Sequence, residues 1–346
     1  MRRKLSKSAE HSPFGEPGLG SLRKTELGKK RLGKSGLDVS RLCFGSLTIG
    51  PLQASLPLDR GAALLRRAFW SGVTFVDTAQ IYGTYPYIRE ALRGYKGDGG
   101  NMGDVVIATK SYAYSAEGMQ DALEEARREL DRDVVDIFLL HEQESEHTIR
   151  GHWEAFEYLL EAKARGWVKA VGISTHAVAA VRAAAAMDEV DVIHPLINME
   201  GIGILDGTAS DMLAAIAEAH QAGKGIYGMK VLGGGNLHAR APEALAWALA
   251  QPHLDAIAIG MQSEGELEVN LRLFAGESVA EANWCEVRRR ERRLHIEDWC
   301  TGCGACVPAC PQGALRLEER VVVDQARCLL CGYCARMCRD FCIKVV

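Results

Sequence analysis

Between Arg41 and Leu273 the sequence switches eight times from a short apolar run to a longer helical one, and this alternation restricts the fold more than any other feature. The apolar runs are Arg41–Ser46, Thr74–Ala79, one from Val105 ending at Lys110, one from Val134 ending at His141, Val168–Thr175, Val190–Ile197, Gly225–Leu232 and Ala256–Met261. Rich in Val, Ile and Phe, they read as buried strands. Helical patterns separate them: one containing Ala62–Phe69 with Asp59 as its cap, one near Ile88–Leu92, then Glu117–Leu130, Gly151–Ala164, Ala177–Met187, Ser210–His220, Pro242–Ala250 and Glu264–Leu273. Repeated βα units over roughly 250 residues are the pattern of an α/β (β/α)8 barrel, a TIM barrel.

A parallel barrel brings the C-terminal ends of all its strands to one face. Three successive strands end in Asp77, Lys110 and His141, and Tyr82 follows on the loop after the first. Taken singly, Asp77 reads equally well as a cap for the next turn, and Tyr82 as a half-buried loop residue. Together the four types fit one task. A tyrosine, with an ordinary pKa near ~10, is a poor acid at neutral pH, and a neighbouring ammonium favours its phenolate and lowers that pKa. Asp77 would hold Lys110, and His141 would donate to a substrate oxygen. Such a site hands a proton to a carbonyl oxygen while hydride reaches the carbon.

Asp77-x4-Tyr82, with Lys110 and His141 ending the next two strands, resembles the catalytic tetrad of the aldo-keto reductase family, and the resemblance runs from about Gly33 to about Phe274. It implies an NAD(P)H-dependent oxidoreductase acting on a small-molecule carbonyl substrate, with Tyr82 as proton donor. It also implies that Lys30–Leu37 forms a hairpin closing the barrel bottom. Family members carry Ser-Asn at the end of the fifth strand, on the nicotinamide carboxamide; here the pair is Ser174-Thr175. His194 stands where a Gln usually contacts the nicotinamide, and it reads equally as a satisfied core histidine. After the seventh strand, Lys230 and the run Gly233-Gly234-Gly235 occupy the position where barrels bind phosphate; glycines allow close backbone approach to a pyrophosphate. Ile259–Asn270 resembles the segment that holds the adenosine phosphate. NADPH-preferring members have Lys and Arg there, whereas this chain has Gly260 and Glu266 and keeps Asn270 for the adenine. A carboxylate repels a 2′-phosphate and accepts from a bare 2′-hydroxyl, which leans toward NADH.

Near the C-terminal end the chemistry changes. The run Cys300-x2-Cys303-x2-Cys306-x3-Cys310-Pro311 is followed by Cys328-x2-Cys331-x2-Cys334-x3-Cys338. This is the bacterial ferredoxin spacing given twice, in which three cysteines hold one [4Fe–4S] cube and the fourth reaches the other. Cluster I takes Cys300, Cys303, Cys306 and Cys338; cluster II takes Cys328, Cys331, Cys334 and Cys310. Zinc sites, built from paired knuckles, do not need this third step. Two departures stand out: Arg339 replaces the usual Pro after Cys338, and Cys342 adds a thiol near cluster I. Cys43 lies in the first strand and reads as core; Cys285 has no evident partner.

The expected domains are a flexible arm (1–29), the barrel (30–280), a basic linker (281–298) carrying the run from Val287 to Arg293, and a small ferredoxin-like domain (299–346). A net charge of −4 implies no nucleic-acid partner, and no apolar run suffices for a membrane span. The basic, polar N-terminus lacks a secretory core, and clustered cysteines suit a reducing compartment; both point to the cytoplasm. Hydride transfer moves two electrons and a cube moves one. The clusters are therefore a structural module, a wire to a redox protein partner, or part of a flavin-containing electron-transfer enzyme, since the Gly233–Gly235 loop suits a flavin phosphate too. A non-catalytic redox or oxygen sensor is the other reading, though it has no need of a complete tetrad.

Overall fold

The structure, a computed structural model, describes residues 27–289 and 291–346. Most of the expected arm lies outside the described residues. Its end does not: Leu27 is buried, and Lys29 opens the first strand.

A two-stranded antiparallel hairpin, β1 (Lys29–Arg31) and β2 (Asp38–Ser40), precedes the barrel. The chain then runs β3 (Leu42–Gly45), α1 (Leu58–Trp70), β4 (Phe75–Asp77), α2 (Tyr85–Gly97), β5 (Val106–Ser111), α3 (Ala116–Leu130), β6 (Val135–Leu140), α4 (Glu146–Gly151), α5 (Trp153–Ala164), β7 (Val168–Thr175), α6 (Val178–Ala185), β8 (Val192–Pro195), α7 (Ala209–Gln221), β9 (Gly225–Gly228), α8 (Ala241–Leu249), β10 (Ala256–Gly260) and α9 (Glu264–Phe274). Strands β3 to β10 close into a barrel in sequence order, with β10 beside β3. Every pairing in it is parallel.

Several local expectations shift for physical reasons. Pro57, not Asp59, stands before α1 and makes no side-chain cap; Asp59 lies in the first turn, where its charge meets the positive end of the helix dipole. The helix expected over 151–164 is α5, and a further short helix, α4, opened by a Ser145–Thr148 capping box, precedes it and ends before His152. The sixth barrel strand is shorter than its apolar run, and Leu196 and Ile197 leave it to pack in the surrounding core.

Alternation along the strands divides the apolar residues. Cys43, Phe75, Ile137, Leu139, Val192 and Tyr227 fill the interior, and Leu32 and Val39 close its base. Outward residues such as Phe44, Val76 and Phe138 pack against the helices.

The expected linker is structured. It forms α10 (Glu281–Arg288), which lies along α9 and buries Trp284 in the barrel's outer core, and β11 (Leu294–Ile296). A basic surface hid a helix whose apolar content is little more than one indole and one valine. The remaining elements are β12 (Leu315–Leu317), β13 (Val321–Val323), α11 (Tyr333–Arg336) and β14 (Ile343–Val345). Strand β11 pairs antiparallel with β14, and β12 with β13. One apolar cluster joins this module to the barrel: Leu196, Ile202, Met229 and Leu237 pack with Leu294, Phe341, Ile343 and Val345. Among the described residues no helix is long and apolar enough to cross a membrane.

Two glycines test the packing. A methyl group on Gly172, in β7, would run into the Val192 backbone of the adjoining strand, which cannot move. Gly97, the last residue of α2, has open space around its Cβ direction. Gly172→Ala should cost about 3 kcal/mol or more, and Gly97→Ala should be neutral or stabilise by about 0.5 kcal/mol. Thermal melting of the two variants checks both.

Candidate active site and cluster cavities

Strands β4 and β5 are neighbours, so Asp77 and Lys110 meet at the barrel mouth. Lys110 is 1% exposed and donates to both carboxylate oxygens of Asp77 at 2.8 Å and to the Thr78 carbonyl at 2.7 Å. The Tyr227 hydroxyl donates to Asp77 as well, at 3.1 Å. Two charges taken out of water need this degree of mutual satisfaction, because either alone would be a buried uncompensated ion. The Lys110 ammonium lies 4.9 Å from the centre of the Tyr82 ring, and the His141 ring meets Tyr82 edge-on at 5.8 Å. The four tetrad residues are thus one constellation.

Its electrostatics differ from the sequence expectation in one respect. Burial, reinforced by Asp77, Glu142 and Tyr112, pushes the Tyr82 phenol well above its ordinary pKa. Burial, the largest of these causes, outweighs the nearby ammonium. Tyr82 therefore keeps its proton at any working pH. It can yield that proton only to an oxygen that becomes strongly basic, as a carbonyl oxygen does when its carbon receives hydride. Burial, with Lys110 assisting, also drives the His141 pKa well down, so the ring is neutral. Its Nδ1 is buried without a hydrogen-bond partner among the described residues.

Residues just beyond the strand ends add a second layer. Tyr112 stacks on His141 with ring centres 4.2 Å apart and donates to Glu142 at 2.5 Å. Lys230 donates to Nε2 of His176 at 2.6 Å, and its ammonium is 3.7 Å from Glu142. Glu142 and Lys230 both hold left-handed backbone, with φ of 50° and 59°, an arrangement that only the surrounding structure can impose on such side chains. The sequence reading missed Tyr112, Glu142, His176 and Tyr227. The available signal was position: three of them stand one or two residues past a strand-ending residue already singled out.

The expected cofactor contacts divide. Ser174 is buried, and its hydroxyl accepts the Glu142 N–H at 2.9 Å. The Thr175 hydroxyl turns back on its own loop and accepts the Ala177 N–H at 2.8 Å. Nδ1 of His194 is committed to the Tyr227 carbonyl at 2.6 Å, and the ring stacks on Tyr227 at 3.8 Å, so only the Nε2 lone pair remains. Gly233, Gly234 and Gly235 have positive φ throughout, and what approaches them is the chain's own end. The Val345 N–H donates to the Gly234 carbonyl at 2.9 Å, the Asn236 amide donates to the Ile343 carbonyl at 2.9 Å, and Phe341 and Lys344 lie against Gly234. Glu266 and Asn270, on α9, line a cavity together with Gly260, and Gly235 borders it as well.

The cysteines surround two further cavities. One is lined by Cys300, Cys303, Cys306 and Cys338, with Cys342 beside them. The other is lined by Cys310, Cys328, Cys331 and Cys334. Each holds three cysteines of one run and the fourth of the other. The two crossing sulfurs also accept matching backbone bonds: Ala314 N–H to Cys310 at 3.3 Å and Cys342 N–H to Cys338 at 3.2 Å. Among the described residues no group of Cys, His, Asp or Glu is arranged for a single metal ion. Quartets of thiols around a cavity, with N–H groups aimed at sulfur, suit [4Fe–4S] cubes. Phe341 spans from this module to the barrel, its ring 5.8 Å from that of His176.

Comparisons with known proteins agree with both halves. The model of the aldo/keto reductase family matches residues 41–243, and that of a 4Fe-4S dicluster domain matches residues 299–341. L-galactose dehydrogenase of Arabidopsis thaliana is 23% identical over 283 residues, covering 71% of this chain and 88% of that protein. Among solved structures, a Pseudomonas aeruginosa protein classed with the aldo-keto reductases superposes with a TM-score of 0.62 at 24% identity, over 74% of this chain and 98% of that one. The aldo-keto reductase of Bacillus halodurans does so with a TM-score of 0.58 at 18% identity, over 75% and 95%. At these identities the structural matches speak for the fold alone.

His194 provides a pH test of this geometry. Burial pushes its pKa down to about 4, with Asp77 pulling up and Lys110 pulling down. The unfolded chain, near ~6.5, binds the proton more readily, so the stability contributed by the neutral ring is present above that value and is lost as pH falls toward 4. Between pH 7 and pH 5 the native protein should lose about 2 kcal/mol more stability than His194→Gln. Denaturant melts at the two pH values, under anaerobic conditions, measure the difference.

Proposed function

The chain belongs to the aldo/keto reductase family, and we propose that this oxidoreductase reduces a small-molecule carbonyl with a nicotinamide cofactor while its ferredoxin domain exchanges electrons with the barrel site and with a redox protein partner. The observation that carries the first part is the buried Lys110–Asp77 pair lying under Tyr82, with His141 at the edge of the same ring.

A reduced nicotinamide, when bound, supplies the hydride. The chain's own residues do the rest. A carbonyl oxygen held between the Tyr82 hydroxyl and the neutral His141 is polarised by two donors. As negative charge builds on that oxygen, the phenolic O–H bond breaks and the proton passes to it. Lys110 steadies the phenolate left behind, and Asp77 keeps Lys110 in position. Stabilisation of this kind acts strongly because the groups are preorganised and shielded from water. Ser174 and Asn270 fit contacts to the two ends of a dinucleotide, and Glu266, the ground for the lean toward NADH, is itself engaged by the Gln262 N–H and by Arg292. The four-cysteine cavities fit two cubes, cluster I on Cys300, Cys303, Cys306 and Cys338, and cluster II on Cys310, Cys328, Cys331 and Cys334. At one electron each, two cubes together hold the two electrons that one hydride carries. Phe341, whose N–H donates to the Cys338 carbonyl, packs on His176 at the mouth and so ties the cluster I loop to the barrel.

Tyr82→Phe removes the proton and keeps the ring. It should lower turnover of a simple aldehyde by ~10²–10⁴-fold and leave the dissociation constant for NADH unchanged. Turnover at the native rate would mean that the proton comes from another group.

A further inference from the structure

A cavity of about 140 Å³ opens beyond the end of β10, between α9 and the segment that joins the barrel to the iron–sulfur module. Gln262, Glu266 and Asn270 form one wall; Trp284, Arg288 and Arg292 form the other. Both walls lie beyond residue 243, where the match to the aldo/keto reductase family ends, and the second belongs to the segment that leads into the iron–sulfur module.

Three observations say what the cavity takes. First, Asn270 is 6% exposed; its amide donates to the Glu266 carbonyl at 2.8 Å, while its Oδ1 is buried with no partner among the described residues. A buried acceptor in that state is a standing cost, removed by a ligand that donates, as the amino group of an adenine does. Second, α9 begins at the cavity: the Ser263 hydroxyl accepts the Glu266 N–H at 3.2 Å, and the positive end of the helix favours an anion there. Third, Arg292 is largely buried and held, its guanidinium donating to the Val287 carbonyl at 3.2 Å and lying 3.7 Å from the Glu266 carboxylate. The Glu266 carboxylate also accepts the Gln262 N–H at 2.7 Å, so it is engaged on two sides and does not stand as a bare anion in the cavity. Arg288, tied to Glu281 at 2.6 Å, adds a second guanidinium on the same wall.

We propose that Arg292 is a nucleotide-binding residue, its guanidinium taking a phosphate of the dinucleotide bound in this cavity, so that the joining segment closes the cofactor site from the module side. This rests on the nicotinamide reading given above. Arg292 stands two residues before β11, the strand that pairs with β14 at the module's seat on the barrel. A nucleotide held by Asn270 on one side and Arg292 on the other therefore also holds the module in place, and by linkage its binding stabilises that seat. The phosphate is either the diphosphate bridge or a 2′-phosphate, and the two are separable.

The test uses full-length, anaerobically purified protein with its clusters loaded, titrated with NAD+ and with NADP+ by calorimetry. Arg292→Gln should weaken binding by about tenfold or more. An equal loss for both nucleotides assigns Arg292 to the diphosphate, and a loss confined to NADP+ assigns it to the 2′-phosphate. Arg292→Lys should recover part of the loss. Arg316→Gln, an exposed change on β12 whose partner is Glu318, should leave affinity unchanged and so rule out a general charge effect. In the native protein NAD+ should raise the temperature at which cluster absorbance is lost, and in Arg292→Gln this shift should shrink. An Arg292→Gln protein that keeps its iron and binds both nucleotides as tightly as the native chain overturns the proposal alone. A native protein that binds neither nucleotide overturns the nicotinamide reading with it.

Discussion

The seam between β14 and the glycine loop is the contact on which the rest of the molecule depends. A module of this size cannot bury a core sufficient for itself. It solves the problem by sharing one: Phe341, Ile343 and Val345 enter the same apolar cluster as Leu196, Ile202 and Met229 at the barrel mouth. Backbone bonds fix the register, Val345 to Gly234 and Asn236 to Ile343. Any side chain on Gly235 would strike the Val345 carbonyl, so the glycines permit this strand to lie as close as it does. With the seam in place, the four-cysteine cavities stand at a fixed position relative to Tyr82 and Lys110.

That fixed position gives the polar residues around the mouth a role between the two centres. The buried Asp77–Lys110 pair lies beside Tyr82, with Tyr227 and Thr78 completing its bonds. Glu142, His176 and Lys230 form the layer above it, and Phe341 packs on that layer from the module. Burial drives the pKa values of His176 and Lys230 downward, and charged neighbours, Lys230 above all, hold Glu142 below the usual carboxylate range against its own burial. The layer thus has its charges matched internally and presents Phe341 with a compact, packed surface.

The barrel and its tetrad were legible because both depend on local pattern plus one topological rule. Apolar runs marked the strands, and a parallel barrel sends every strand end to one face, so Asp77, Lys110 and His141 could be placed together without knowing any contact. The cysteine runs were legible for a similar reason, since ligand spacing is itself local. What escaped was set by long-range packing. Nothing local to Gly233–Gly235 shows that β14 packs on this loop, while Gly235 also borders the cavity lined by Asn270. The stretch from Glu281 to Arg293 read as a solvated linker because its charges outnumber its apolar residues, yet Trp284 and Val287 pack α10 against the barrel. The direction of the Tyr82 pKa escaped because its largest cause is burial, which depends on long-range packing and not on the nearby residue types.

The most direct measurement of the account is an anaerobic redox titration of the full-length protein, after iron and sulfide analysis has established loading near about eight of each per chain. Cluster absorbance and paramagnetic signal would be followed as NADH or NADPH is added, and again as chemically reduced protein is given NAD+ and a carbonyl substrate. If the seam joins a hydride site to an electron store, the clusters change oxidation state in at least one of these directions, with nicotinamide converted in proportion. Fully loaded clusters that hold one oxidation state in both experiments, while the barrel turns over aldehyde normally, would contradict the connection and leave the module a structural part of the fold.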